Sequence, residues 1–140
     1  MSSGHDTVAV VGGGTMGVGI AYVFAAAGWT TWVVEPSDER AAAVRATIET
    51  VAAQGAARGK LTPELARSIP AGIQRLSSVD QLPDGLALVI ETVPERFELK
   101  QQVLHGIEAH RPGVIATNTS ALSVDALAAS LEHPDRFLGM

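Results

Sequence analysis

The sequence has 140 residues, 46% of them hydrophobic and 18% charged, which is enough apolar material for one domain and too much for a disordered chain. Ten basic residues against fifteen acidic ones give a net charge of −5, with lysine only at positions 60 and 100 and the arginines scattered, so no nucleic-acid or anionic-membrane partner is expected. Without cysteine there is no disulfide or thiolate chemistry, a composition that suits the cytoplasm, and no signal-peptide pattern or apolar run approaching the roughly 20 residues of a membrane span is readable.

Thr7–Val11 is a short β-branched run ending in Gly12-Gly13-Gly14 and reads as a buried strand entering a tight turn. Small and apolar residues from Thr15 to Ala27 follow, with Gly28 just past the end as a helix stop. Thr30–Glu35 is a second strand, broken by Pro36. Ser37 is placed to cap a long helix over Asp38–Arg58, with Val44, Ile48 and Val51 on its apolar face. Thr62 caps a shorter helix over Pro63–Ile69, with proline in its first turn. Ile73–Leu76 is a short strand candidate and Leu86–Ile90 a stronger one. Arg96–His110 has helical spacing in Phe97, Val103, Leu104 and Ile107. Val114–Thr117 is the next strand, Ser123 caps a helix carrying Val124, Leu127 and Leu131, and Phe137–Met140 opens a final strand. The strands are continuous apolar runs alternating with helices, the pattern of a parallel sheet buried on both faces. The expected fold is therefore α/β and doubly wound, a single domain over residues 1–140.

The glycines after the first strand match G-x-G-x-x-G at Gly12, Gly14 and Gly17, and Glu35 closes the next strand 18 residues after Gly17 (35 − 17). Such a turn brings the backbone close to a pyrophosphate and aims the free N–H groups and the positive end of the helix dipole at it. Glu35 is expected to accept hydrogen bonds from an adenosine ribose and to repel a 2′-phosphate, which favours NAD over NADP. Gly19 is compatible either with close helix packing or with a tolerated helix glycine.

In such sheets the ligand lies over the carboxyl ends of the strands. Polar groups follow two further strand ends: Glu91-Thr92-Val93-Pro94-Glu95, with Lys100 one turn into the next helix, and Asn118-Thr119-Ser120. They suit a nicotinamide ribose and substrate. The residues alone also allow Glu95 as a helix-dipole acid, Lys100 in a solvated pair with Glu95 or Glu98, and Asn118 and Ser120 as loop and capping residues.

Taken together, VAVVGGGTMGVGIA, VIETVPERFELK, ATNTSALSV and DRFLGM resemble, in order from Thr7 to Met140, the NAD-binding domain of L-3-hydroxyacyl-CoA dehydrogenases, the 3-hydroxybutyryl-CoA type included. The resemblance implies a Rossmann-like domain with Gly12, Gly13, Gly14, Thr15, Met16 and Gly17 around the pyrophosphate. It further implies Glu35 at the ribose, where the family more often has aspartate, and Thr92, Glu95, Lys100 and Asn118 at the nicotinamide side. Ser120 would act catalytically by hydrogen-bonding the substrate oxygen at the reacting carbon. Ala121 departs from the family's usual second serine. No metal is implied.

Gly139 and Met140 match the family positions that lead into an H-F-F-N-P segment, whose histidine is the general base. His5, His105, His110 and His133 lie in the N-terminal stretch, on or at the end of a helix, and in a turn, and do not replace it. The chain is thus expected to be the cofactor-binding part of a longer homodimeric dehydrogenase of fatty acid metabolism, whose helical C-terminal dimerisation domain lies outside residues 1–140. Arg58 and Lys60 stand where coenzyme A phosphates or plain solvent would meet them. Alternatives are a related 3-hydroxy acid dehydrogenase acting on L-gulonate, as in the lambda-crystallin-like enzymes, or on a carrier-protein thioester, and a non-catalytic NAD-binding module.

Overall fold

The structure, a computed structural model, describes residues 6–119 and 121–140. Six strands form one all-parallel sheet: β1 (Thr7–Val11), β2 (Thr30–Val34), β3 (Ile73–Leu76), β4 (Leu88–Glu91), β5 (Val114–Thr117) and β6 (Phe137–Gly139), in the order β3-β2-β1-β4-β5-β6. The helices are α1 (Thr15–Ala26), α2 (Asp38–Ala57), α3 (Pro63–Ala71), α4 (Phe97–Glu108) and α5 (Val124–Ala128). The doubly wound parallel fold expected from the sequence is the one observed.

Helix boundaries follow capping chemistry. The Ser37 side chain accepts the Arg40 N–H at 3.2 Å, Thr62 that of Leu65 at 3.1 Å and Ser123 that of Ala126 at 3.1 Å, each satisfying a donor that has no partner within its helix. At the end of α1 the Gly28 N–H reaches Ala25 O and the Trp29 N–H reaches Phe24 O, both at 3.0 Å, a Schellman closure. Pro70 lies inside the last turn of α3, so that helix runs two residues past the expected Ile69. In that turn proline removes a single backbone bond.

Three expectations shift. The ladder of β4 starts at Leu88, not Leu86, because the Ala87 N–H donates to the Thr7 hydroxyl (3.0 Å) instead of to a neighbouring strand. Val51 is 39% exposed, and Ala52 takes its place beside Val44 and Ile48 under α2, since an i, i+4 line of contacts reaches position 52. Finally, α5 stops at Ala128, and Leu131 packs beyond the helix rather than on it.

Residues from alternate strand positions fill two faces. Val10, Val33 and Ile73 pack under α1, α2 and α3 with Val44, Ile48 and Ile69. Ala9, Val11, Val89 and Ile115 pack under α4 and α5 with Leu104, Ile107 and Leu127. The registers put Leu76, Val34, Val11, Glu91, Thr117 and Gly139 in one row across the sheet. The first residue after each of five strands donates its N–H to a neighbour in that row: Gly12 to Val34 O, Glu35 to Leu76 O, Thr92 to Val11 O, Asn118 to Glu91 O and Met140 to Thr117 O, all at 2.9 Å. The loops after β1, β2, β4 and β5, together with Met140, therefore leave the sheet at one straight edge.

Candidate functional site

That edge gathers the cofactor-site residues singled out in the sequence, apart from Ser120, which lies outside the described residues, while Arg58 and Lys60 follow the opposite end of α2. At its centre Gly12 turns the chain with φ +116°, a conformation that strains any residue with a Cβ, and a side chain there would also meet the Thr92 hydroxyl at 2.7 Å. Gly17 is buried against the turn: a Cβ on it would stand 2.0 Å from Gly12 O. This contact lets α1 start directly under the loop. Gly14, Thr15 and Met16 are exposed, α1 has no side-chain cap, and a Cβ at Gly14 would enter open space. An uncapped helix N-terminus facing an open cradle fits a pyrophosphate. A Cβ at Gly19 likewise meets nothing within 4 Å, so no close packing inside this domain accounts for that glycine.

Glu35 stands on one side of the turn and is only 3% exposed. Its Oε1 accepts the Gly13 N–H (3.1 Å) and its Oε2 the Ser37 N–H (2.8 Å). The residue expected as a free ribose acceptor thus also fastens the glycine turn to the start of α2, keeping spare lone pairs for a ligand. Beside it the structure brings Arg75 of β3, whose Nε and Nη2 donate to Glu35 O at 2.9 and 2.8 Å and whose Nη1 pairs with Asp38 at 2.9 Å. Spacing gave no sign of Arg75, which arrives from 40 positions away through strand pairing.

On the other side, the Thr92 hydroxyl lies 3.0 Å from Val11 O and 3.3 Å from Gly12 O, tying the end of β4 to the glycine turn. Glu95 precedes α4 and is 37% exposed along its side chain, but it does not serve as a first-turn dipole acid. Its Oε2 accepts the Thr119 hydroxyl (2.7 Å) and the Ala121 N–H (3.2 Å), and its Oε1 lies 3.3 Å from Lys100 Nζ. Thr119 in turn accepts the Leu122 N–H at 3.0 Å. These bonds hold the carboxyl of Glu95 below the usual carboxylate range, the Thr119 hydroxyl contributing most, with Lys100 and the Ala121 N–H adding to it and partial burial opposing.

Lys100 departs most from expectation. It is neither solvated nor part of the exposed lining: its side chain is fully buried, and its ammonium donates to Glu91 Oε2 (2.7 Å), Asn118 O (2.9 Å) and Val93 O (3.0 Å). Three donors meet three acceptors, so Lys100 supports the loops after β4 and β5 from beneath. Glu91, which sequence reasoning placed in its polar cluster without a role of its own, is as deeply buried and also accepts the Val93 N–H at 2.6 Å and the Thr117 hydroxyl. An acidic residue ending an otherwise apolar strand was its one legible signal. Asn118 is half-buried at the end of β5, its backbone held by Glu91 and Lys100.

His105 and His110 lie away from this edge, bonded to Ser130 O and Asp84, and His133 sits in the turn before Pro134. Among the described residues no group of three or more His, Asp or Glu is placed to hold a metal ion, and no helix is long and apolar enough to cross a membrane.

A parallel sheet in this strand order, with a glycine turn over β1 and an acid ending β2, defines a dinucleotide-binding α/β domain. Residues 7–140 match the family described as "3-hydroxyacyl-CoA dehydrogenase, NAD binding domain", and the chain belongs to that family, with NAD as its cofactor. It is 34% identical over 135 residues to 3-hydroxybutyryl-CoA dehydrogenase of Bradyrhizobium diazoefficiens, covering 95% of this chain and 46% of that one. With 3-hydroxyadipyl-CoA dehydrogenase of Escherichia coli the identity is 36% over 143 residues, covering 96% and 29%. The crystal structure of (S)-3-hydroxybutyryl-CoA dehydrogenase from Ralstonia eutropha superimposes with a TM-score of 0.89 at 36% identity, covering 96% of this chain and 48% of that one. The chain spans less than half the length of each of these relatives.

Proposed function

We propose that this domain holds NAD for an enzyme that oxidises L-3-hydroxyacyl-CoA to 3-oxoacyl-CoA. The observation that carries the proposal is the single edge on which the open, uncapped start of α1 lies between Glu35 on one side and Glu95 and Asn118 on the other. The family membership and the acyl-CoA names of the relatives support the substrate class. Bound NAD supplies the hydride acceptor. The chain's own residues bind and orient it: the N–H groups around Gly14 and Met16 face phosphate charge, and Glu35 takes the adenosine ribose. Thr92, Glu95 and Asn118 frame the nicotinamide end, and Ser120 holds the substrate oxygen at the reacting carbon. The proton acceptor for the hydroxyl is assigned to the part of the enzyme that the longer relatives carry beyond the matched region, since His105, His110 and His133 lie away from the site.

Titration of this chain with NADH, read by cofactor fluorescence, tests the reading: saturation below millimolar concentration is expected, with NADPH weaker and turnover of L-3-hydroxybutyryl-CoA negligible. No NADH binding at millimolar concentration refutes it. For the longer enzyme, activity on L-gulonate without activity on acetoacetyl-CoA would replace the thioester by a sugar acid. The proposal extends to a cytoplasmic homodimer in fatty acid metabolism, and the acyl-CoA names of the relatives support the metabolic assignment. Sedimentation and cell fractionation of the longer enzyme test it.

A further inference from the structure

The Glu91 carboxylate bonds to Val93, Lys100 and Thr117 rather than to the proposed ligand contacts Thr92, Glu95 and Asn118. Glu91 and Lys100 are both 0% exposed and pair at 2.7 Å. An ion pair taken fully out of water gains little stability over an apolar pair of the same size, so stability alone is a weak reason for charges at these positions. What the pair does supply is fixed distances. Glu91 holds the Val93 N–H (2.6 Å) and the Thr117 hydroxyl; Lys100 holds Val93 O (3.0 Å) and Asn118 O (2.9 Å). The two loops that frame the nicotinamide end are thereby locked to one point between β4, β5 and α4. The adenosine end is fastened separately, by Glu35 to Gly13 and Ser37.

We propose that Glu91 is a positioning residue: its carboxylate holds Lys100 under the Val93 and Asn118 carbonyls and so sets the spacing of the nicotinamide-side loops. This rests on the dinucleotide reading given above. A competing partner stands close by, since Glu95 Oε1 lies 3.3 Å from the same ammonium. Once Glu91 is neutral, the charge of Lys100 is drawn to Glu95, and the two carbonyls lose their common donor. The nicotinamide half of the ligand then meets misplaced loops while the ADP-ribose half meets an unchanged turn.

The experiment compares NADH with ADP-ribose by calorimetric titration in wild type and Glu91→Gln. The expected result is an affinity for NADH reduced about tenfold, with ADP-ribose changed less than about twofold. The double variant Glu91→Gln/Lys100→Met, which removes both charges, is expected to regain thermal stability without regaining NADH affinity. Thr117→Val, isosteric and with the ion pair intact, is expected to lose NADH affinity selectively by about threefold, and it carries the same comparison where Glu91→Gln does not fold. Equal losses for the two ligands, wild-type affinity for both, or recovery of NADH affinity together with stability in the double variant would each overturn the proposal. A wild-type chain that takes neither ligand overturns the dinucleotide reading instead.

Discussion

Glu35 and Glu95 stand at opposite ends of the candidate site in different surroundings. Glu35 is enclosed, and both of its oxygens are occupied by backbone N–H groups. Glu35→Ala is expected to weaken NAD binding roughly 10- to 100-fold, since hydrogen bonds to a charged partner are lost, and to narrow the gap between NAD and NADP. Titration with both nucleotides checks this, and unchanged affinities would make Glu35 a bystander. Glu95 is open to solvent and stays ionised to lower pH than an ordinary glutamate, mainly through the Thr119 hydroxyl. A carboxylate whose folded pKa is lowered contributes fully above its unfolded pKa and stops contributing as pH falls through the folded one. The link from Glu95 to Thr119 and Ala121 is therefore expected to hold at neutral pH and to release only in acid. Amide chemical shifts of Ala121 and Leu122 followed down in pH would report that release, and Glu95→Gln should abolish the transition. The two acids were both legible as residues, because each follows a strand in a parallel sheet. Their distant partners were not, because Gly13 and Thr119 lie on loops that meet these acids only after folding.

At the level of single elements, α1 offers a controlled comparison between two of its glycines. Gly17→Ala forces a methyl group to within 2.0 Å of Gly12 O, so the helix must move off the turn. A cost of about 1–3 kcal/mol, as for other overpacked sites, and a parallel loss of NADH affinity are expected. Gly19→Ala enters open space and should stabilise the helix by up to about 1 kcal/mol. Thermal melts of both variants decide it; a Gly17→Ala protein as stable as wild type would mean that the turn yields. The existence of the strands and α-helices was readable throughout, though not that of the 3₁₀ turns: glycine turns, proline breaks and the caps Ser37, Thr62 and Ser123 act within a few residues of themselves. Offsets appeared where a neighbouring element intervened. The Thr7 hydroxyl displaced the start of β4, and the line of contact with the sheet chose Ala52 over Val51.

Across the whole molecule the helices are unevenly shared. The segment between β3 and β4 contributes only a 3₁₀ turn, Val79–Gln81, packed towards α4, and so among the described residues no helix lies beside α1 over β4–β6. Ile90 and Ala116 floor this strip, and Met16, Val23, Leu138 and Met140 are exposed along it. A contiguous apolar surface of this kind binds hydrophobic dye. The 140-residue chain is expected to do so, with fluorescence falling in Leu138→Lys/Met140→Lys, and equal dye binding in that variant would place the dye elsewhere.

The sequence by itself determined the strands, the helices and their caps, the glycine turn and the acid after β2. These depend on side-chain periodicity, backbone freedom and hydrogen bonds that close within a few residues. Only the tertiary structure decided that Lys100 is buried beneath the site rather than exposed in it, that Glu91 holds it, and that Arg75 stands beside Glu35. Those outcomes depend on which strands become neighbours. Burial and charge pairing are properties of the space between elements, and the register β1–β4–β5 that places Glu91, Thr117 and Val11 in one row exists only once the sheet has formed.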